Sequence, residues 1–246
     1  MGYLVLFYTE TRSDADARKV LDGYSGYIMC DGYACYDSIR KEGKHGEAAL
    51  NVKPVSCLVH IARKFKDALK VIPVKDKKDT GAYTAVNKLA RISHIDNEIP
   101  RDDIEARKNK RLEVLKPALD DFFAWVNDEC QISLPQTQYG KALDHALKEK
   151  EKVLRVLEDG RLELDNNLAE RTVKPFVIGR KNWLFADTVG GAKASCNYYS
   201  IIETAKLNGL IPYEYLKYAL EKLAAMELTN KNIDAILLGQ IQYLIM

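Results

Sequence analysis

No stretch of this 246-residue chain approaches twenty consecutive apolar residues. Its start also lacks the basic, apolar, small-residue order of a secretory leader. The first absence argues against a membrane-spanning helix, the second against a signal peptide. An excess of charge is missing too: 37 Lys and Arg face 35 Asp and Glu, a net of +2 with a pI near 8.1. That balance alone does not require a nucleic-acid partner. The cysteines, Cys30, Cys35, Cys57, Cys130 and Cys196, are odd in number and irregular in spacing. They imply no disulfide framework and suit free thiols in a reducing cytoplasm.

What is there is a foldable chain. Hydrophobic residues make up 47%, enough to pack the core of one large domain or two small ones. Lys and Arg are dense in residues 63–78, 101–116 and 171–181, although a charge run is usually a solvated face. Residues 3–9 (YLVLFYT) form an apolar run of strand length, and residues 27–30 (YIMC) form another. A short helix with Ser13 as its cap falls between them, so the order predicts a parallel pair with a crossover.

From Val55 the periodicity turns helical. Helices are expected over residues 56–71, 84–96, 101–131 (kinked at Pro117) and 138–158, which makes residues 61–160 an all-helical block. Residues 181–186 (KNWLFA) read as extended, with a break at Gly190-Gly191. Further helices are expected over residues 193–208, stopped at Gly209, and 212–226, with Pro212 at its first position. Residues 228–246 are apolar but carry no clear caps.

The richest stretch is DNNLAERTVKPFVIGRKNWLFA, residues 165–186. Asp165 suits a helix N-cap, because its carboxylate can accept backbone N–H groups that lack partners in the first turn. Glu170 then falls among Arg171, Lys174 and Arg180. A carboxylate among cations stays ionised, which suits a metal ligand better than a general acid. The same residues also describe an ordinary capped surface helix. Asp31, followed by Gly32, stands at the end of the 27–30 strand, and ligands of parallel α/β sheets collect at such carboxyl ends. It also fits a plain turn. Cys57 and His60 have the spacing of half a zinc site. His45, His94 and His145 stand alone, so no second pair completes it. A buried Cys and a satisfied His at a strand–helix junction is the other reading.

Four segments in order carry a resemblance: GYSGYIMCDGYACYDSI (23–39), CLVHIARKF (57–65), DNNLAERTVKPFVIGRKNWLFADTVGGAKA (165–194) and YSIIETAKLNGLIPYEYL (199–216). Together they resemble the C-terminal catalytic part of insertion-sequence transposases of the IS66 family, over nearly all of the chain to about residue 220. The resemblance implies an α/β fold, an incomplete ribonuclease-H-like fold with a large all-helical insertion and C-terminal helices. It divides the chain into residues 1–60, the N-terminal part of the catalytic domain; 61–160, the insertion; 161–220, its C-terminal part; and 221–246, a tail.

The resemblance further implies an Asp-Asp-Glu metal triad in which Asp31 matches the second Asp and Glu170 the Glu. Cys57 and His60 match a Cys-x-x-His element that supports the site structurally. Mg²⁺ or Mn²⁺ is the implied cofactor. Carboxylates suffice for Mg²⁺, which prefers oxygen ligands and keeps waters. In such sites two ions about 3.5–4 Å apart serve the attacking and leaving oxygens of an in-line displacement. DNA, as transposon ends and target, is the implied partner. Arg171, Lys174, Arg180 and Lys181 would contact phosphates, which positions a duplex without reading its sequence. Trp183 would stack on a base or pack in the core. A second copy or a full-length transposase is a further implied partner, with no membrane association and a cytoplasmic location, on the nucleoid when DNA-bound.

One departure stands out. The family's first Asp belongs to an Asp-Glu-Thr segment that this chain lacks, and residues 3–9 align instead with the family's third strand. Glu10 and Asp14 are nearby acids poorly suited to substitute. The expectation is a truncated or decayed copy without two strands, the first ligand and the DNA-recognition region. A bare strand edge and a weak metal site would follow. Residues 236–246 depart from the family as well. Two alternatives therefore remain open beside a catalytic fragment. One is a non-catalytic DNA-binding or regulatory remnant, the other an unrelated helical scaffold.

Overall fold

Ser13 caps the first helix, α1 (Asp14–Val20), its Oγ accepting the Asp16 N–H at 3.3 Å, as the sequence predicts. This computed structural model describes residues 4–11, 13–43, 46–183 and 186–225, with the side chains of 180–183 outside the description. The described residues are mostly helical and hold one two-stranded sheet. They divide into two compact units. One is Arg12–Asn167; the other is what is described of Met1–Thr11 and Leu168–Met246.

In the first unit, β1 (Gly26–Cys30) pairs in parallel with β2 (Val52–Ser56), in the register Gly26↔Val52 to Cys30↔Ser56. The crossover between them contains the short helix α2 (Cys35–Ser38). Buried Arg18 from α1 holds the crossover by donating to the carbonyls of Ala48, Ser38 and Lys41. A parallel pair was expected, but with residues 3–9 as the partner. That expectation fails for the described part: residues 4–9 form no strand. Lys53 and Pro54 hide the true partner, because they break its apolar run. Proline is tolerated there because pairing alternates along the ladder. Cys57 N–H donates to Cys30 O at 3.1 Å, so the odd positions of β2 face β1. Pro54 then faces the edge on which no strand of the described residues pairs, where no donor is needed.

The helical block follows as α3 (Leu58–Lys70), α4 (Gly81–Asn97), α5 (Ile104–Lys110), α6 (Lys116–Ile132) and α7 (Gln138–Leu154). A 3₁₀ turn (Val74–Asp79) lies between α3 and α4 and a π turn (Arg111–Leu115) between α5 and α6, while a second 3₁₀ turn (Arg155–Leu157) follows α7. Among the described residues of 61–160 there is no strand, as periodicity predicts. Thr80, Asp103 and Thr137 cap α4, α5 and α7 through their side chains. The expected 101–131 helix is interrupted by the π turn just before Pro117. Lys116 N–H reaches back to Arg111 O there, and Pro117 has no N–H to continue the ladder.

Leu58, Ile61 and Phe65 meet Leu89, Ile92, Phe122, Phe123 and Leu143 in one core. Each large side chain so buried contributes about 1.5–3 kcal/mol. At its margin Asp96 accepts Arg111 Nε at 2.6 Å and Arg107 Nη2 at 3.2 Å, with all three side chains buried.

In the second unit α8 (Asn167–Trp183) precedes α9 (Val189–Leu207) and α10 (Pro212–Ala225). Ala205, Leu210 and Tyr215 form a small core, and Phe176 meets Tyr199 edge to face at 5.1 Å. Two expectations need correction. Residues 181–183 are not extended but helical: the aromatic composition favours a strand, yet a helix already under way adds a bond per residue. Helix α9 begins at Val189 rather than Lys193, because Thr188 Oγ1 accepts the Gly191 N–H at 3.0 Å and Gly190-Gly191 lie inside the first turn. Residues 228–246 lie outside those described.

Candidate active-site carboxylates

Asp31 follows the last residue of β1 and is exposed at the carboxyl end of the parallel pair. Its Oδ1 accepts the Tyr33 N–H at 3.1 Å, which fixes a tight turn. Gly32, at the centre of that turn, has φ +82°, a conformation that favours glycine. A Cβ there would also sit 3.4 Å from His145 Cε1 and 3.7 Å from Glu149 Oε2. So α7 roofs the turn that presents Asp31.

The roof is polar and largely buried. Glu149 is 5% exposed, and its Oε1 accepts Lys152 Nζ at 2.8 Å. Lys152 also reaches Asp37 at 2.6 Å. Burial works against the ammonium, but hydrogen bonds and charge from Asp37 and Glu149 outweigh it, so its pKa is raised. Burial depresses the pKa of His145; Lys64 and Lys152 add to this, against Glu149 and Asp144. Burial pushes the Cys30 thiol to about 11, despite the Gly32 N–H beside it. Sequence reasoning missed this cluster. Its signal was present: His145, Glu149 and Lys152 recur at i, i+4 and i+7, one face of a helix.

Cys57 stands just before α3 with its backbone N–H on Cys30 O. Its Sγ accepts the Asn166 N–H at 3.3 Å, and Leu58 N–H donates to Leu164 O at 2.8 Å. The Leu164–Asn166 segment is thereby held at the end of the sheet where Asp31 lies. Asp165 Oδ1 accepts the Asn167 N–H at 2.9 Å. It satisfies an N-terminal donor of α8 from two residues before the helix, one position earlier than an N-cap. His60 lies in the first turn of α3, its N–H on Cys57 O.

Glu170 occupies the first turn of α8, where the helix dipole favours a carboxylate. Glu170, Arg171 and Lys174 are exposed. The side chains of Arg180, Lys181 and Trp183 lie outside those described. The structure therefore brings Asp31, Cys57 and the Asp165 segment together in one unit, and keeps Glu170, Arg171 and Lys174 on one helix of the other.

Carboxylates are the right donors for a hard cation such as Mg²⁺. In number they fall short: among the described residues no three His, Cys, Asp or Glu side chains are grouped to hold a metal. The half zinc site of Cys57 and His60 likewise has no completing group there. No helix among the described residues is long and apolar enough to cross a membrane.

The described residues thus hold a parallel pair with an acidic residue at its carboxyl end and a helical block after it, and in parallel sheets ligands collect at such strand ends. Comparison makes this specific. Residues 1–194 match the Transposase IS66 family, and residues 200–237 match the IS66 C-terminal element. The chain belongs to the IS66 transposase family. It is similar to three uncharacterized proteins of Sinorhizobium fredii. Identity is 30% to y4jD over 96% of this chain, 30% to y4qI over 86%, and 28% to y4hP over 92%. The matches span 45%, 38% and 42% of those proteins, so the chain covers less than half of each. No solved structure matches.

Proposed function

We propose that this chain is part of a transposase catalytic domain, of ribonuclease-H-like fold, that cleaves and transfers DNA strands with Asp31 and Glu170 as metal-binding carboxylates. The observation that supports this most is the Asn166–Cys57 bond, because it tethers the segment leading to Glu170 at the strand end that carries Asp31. Bound Mg²⁺ or Mn²⁺ would supply activation of the attacking oxygen and stabilisation of the leaving one. Asp31, on a turn roofed by α7, and Glu170, in a first helical turn, would hold the ion. Arg171 and Lys174, with Arg180 and Lys181, would hold phosphates and orient the strand. Residues 1–60 and 161–220 would form the catalytic fold around an insertion of residues 61–160. The partners would be DNA and further transposase subunits, in the cytoplasm.

A second reading is favoured because no three-ligand group is found among the described residues. On it the chain binds DNA without cutting it. Nicking of supercoiled plasmid in Mg²⁺ separates the two. Nicking that Asp31→Asn and Glu170→Gln each abolish, with DNA binding retained, is expected for the first reading. Binding by all three proteins with nicking by none establishes the second. Absence of DNA binding overturns both.

A further inference from the structure

Residues 58–80 hold seven Lys and Arg against three Asp, a net of +4 in a chain whose total is +2. The rest of the molecule is therefore net acidic, and the cations here are a local concentration. Helix α3 separates them cleanly. Leu58, Ile61, Phe65 and Ala68 are buried in the core, while Arg63, Lys64, Lys66 and Lys70 are exposed. The 3₁₀ turn Val74–Asp79 adds exposed Lys75 and Lys78. The row begins at a meaningful place. Lys64 is near enough to His145 to influence its charge, and His145 sits over Gly32, the neighbour of Asp31. From there α3 runs on for about 9 Å to Lys70.

We propose that Arg63, Lys64, Lys66 and Lys70, continued by Lys75 and Lys78, form a track for the sugar–phosphate backbone of duplex DNA leading away from the Asp31 turn. The proposal rests on the DNA-acting reading above and adds a surface in the insertion to it. Arg63, Lys66 and Lys70 recur at i, i+3 and i+7, so they share one helical face about 10 Å long. Phosphates of one strand advance about 3.4 Å along the duplex axis, so this face spans about three of them. Contacts from such cations to phosphates position a duplex without reading its sequence. The one carboxylate on α3 is Asp67, whose Oδ1 holds Lys70 Nζ at 2.7 Å. Arg63, Lys64 and Lys70 all lower its pKa, the Lys70 hydrogen bond most.

The test is fluorescence anisotropy of the full chain with a mixed-sequence duplex between about 50 and 200 mM KCl. Replacing Lys64, Lys66 and Lys70 by Gln is expected to flatten the slope of log K against log salt by about 2 to 3. Asp67→Asn is expected to tighten binding, which loss of folding would not do. A control replacing Lys108, Lys110 and Lys116 by Gln is expected to keep the slope of the unmodified chain. An unchanged slope in the α3 variant, or an equal loss in the control, overturns the track while leaving a DNA-binding protein. No binding to DNA by the unmodified chain, with α3-dependent binding to anionic phospholipid vesicles instead, overturns both the track and the reading beneath it.

Discussion

The backbone N–H of Asn166 donates to Cys57 Sγ at 3.3 Å, across 109 positions of sequence. Sulfur is a weak acceptor, and this one is held by geometry: Cys57 is 1% exposed and is itself fixed by its own N–H on Cys30 O. Burial raises the thiol's pKa, against the hydrogen bonds it receives, so it stays neutral. One side chain thus joins the end of the sheet to the segment that starts α8.

Cys57→Ala removes that acceptor and leaves the Asn166 N–H without its partner. The expected loss is about 1–3 kcal/mol of unfolding free energy, read from urea denaturation. Cys57→Ser keeps an acceptor and is expected to lose less than Cys57→Ala. Equal losses from the two variants would show that the cavity, and not the hydrogen bond, sets the cost.

Much of this architecture can be read from residues, and the failures have physical causes. The helical block is legible because Leu58, Ile61, Phe65 and Ala68 repeat at helical spacing and their buried face is the observed one. Strand β2 is not, because Lys53 and Pro54 look wrong for a strand until the direction of pairing is known. The apolar run at residues 3–9 has strand length, but whether it pairs depends on distant residues that no local pattern shows. Asp31 is legible at its strand end. Its roof is not, since His145 and Glu149 reach Gly32 only through the packing of α7.

That roof is expected to make the fold sensitive to pH. His145 has a pKa below the ordinary value near 6.5, because burial disfavours its charged form and Lys64 and Lys152 repel it. Glu149 and Asp144 oppose this, and the net direction is downward. Between the folded and unfolded pKa values the unfolded chain binds the proton and the folded one does not. Stability is therefore fully present above about pH 6.5 and is lost as pH falls towards the lower folded value. The expected result is that the unmodified chain loses more stability than His145→Gln between about pH 7.5 and 5.5, measured by urea midpoints at each pH. Parallel losses in the two proteins would assign the acid sensitivity to other groups.

Residues 4–6 use a different device to stay in place. Leu4 N–H donates to Thr204 Oγ1 at 3.0 Å and Leu6 N–H to Ser200 Oγ at 2.8 Å. Thr204 Oγ1 in turn donates to Leu4 O at 2.9 Å, and Ser200 Oγ to Cys196 O at 2.7 Å. The spacing explains the match. Two hydroxyls four residues apart on α9 are separated by about 6 Å of rise, and alternate residues of an extended chain by about 6.6 Å. A helix can therefore hold an extended segment through side chains alone, with no strand beside it. Each of the three bonds to the segment contributes about 1 kcal/mol, so removing both hydroxyls is expected to raise opening of the segment by about tenfold or more. Ser200→Ala with Thr204→Val deletes both hydroxyls at nearly constant shape. Chymotrypsin cleavage after Phe7 and Tyr8, both exposed, reads the opening directly. A rate unchanged from the unmodified chain would mean that the ladder does not hold residues 4–6, and that the side chains of Leu4 and Leu6 do.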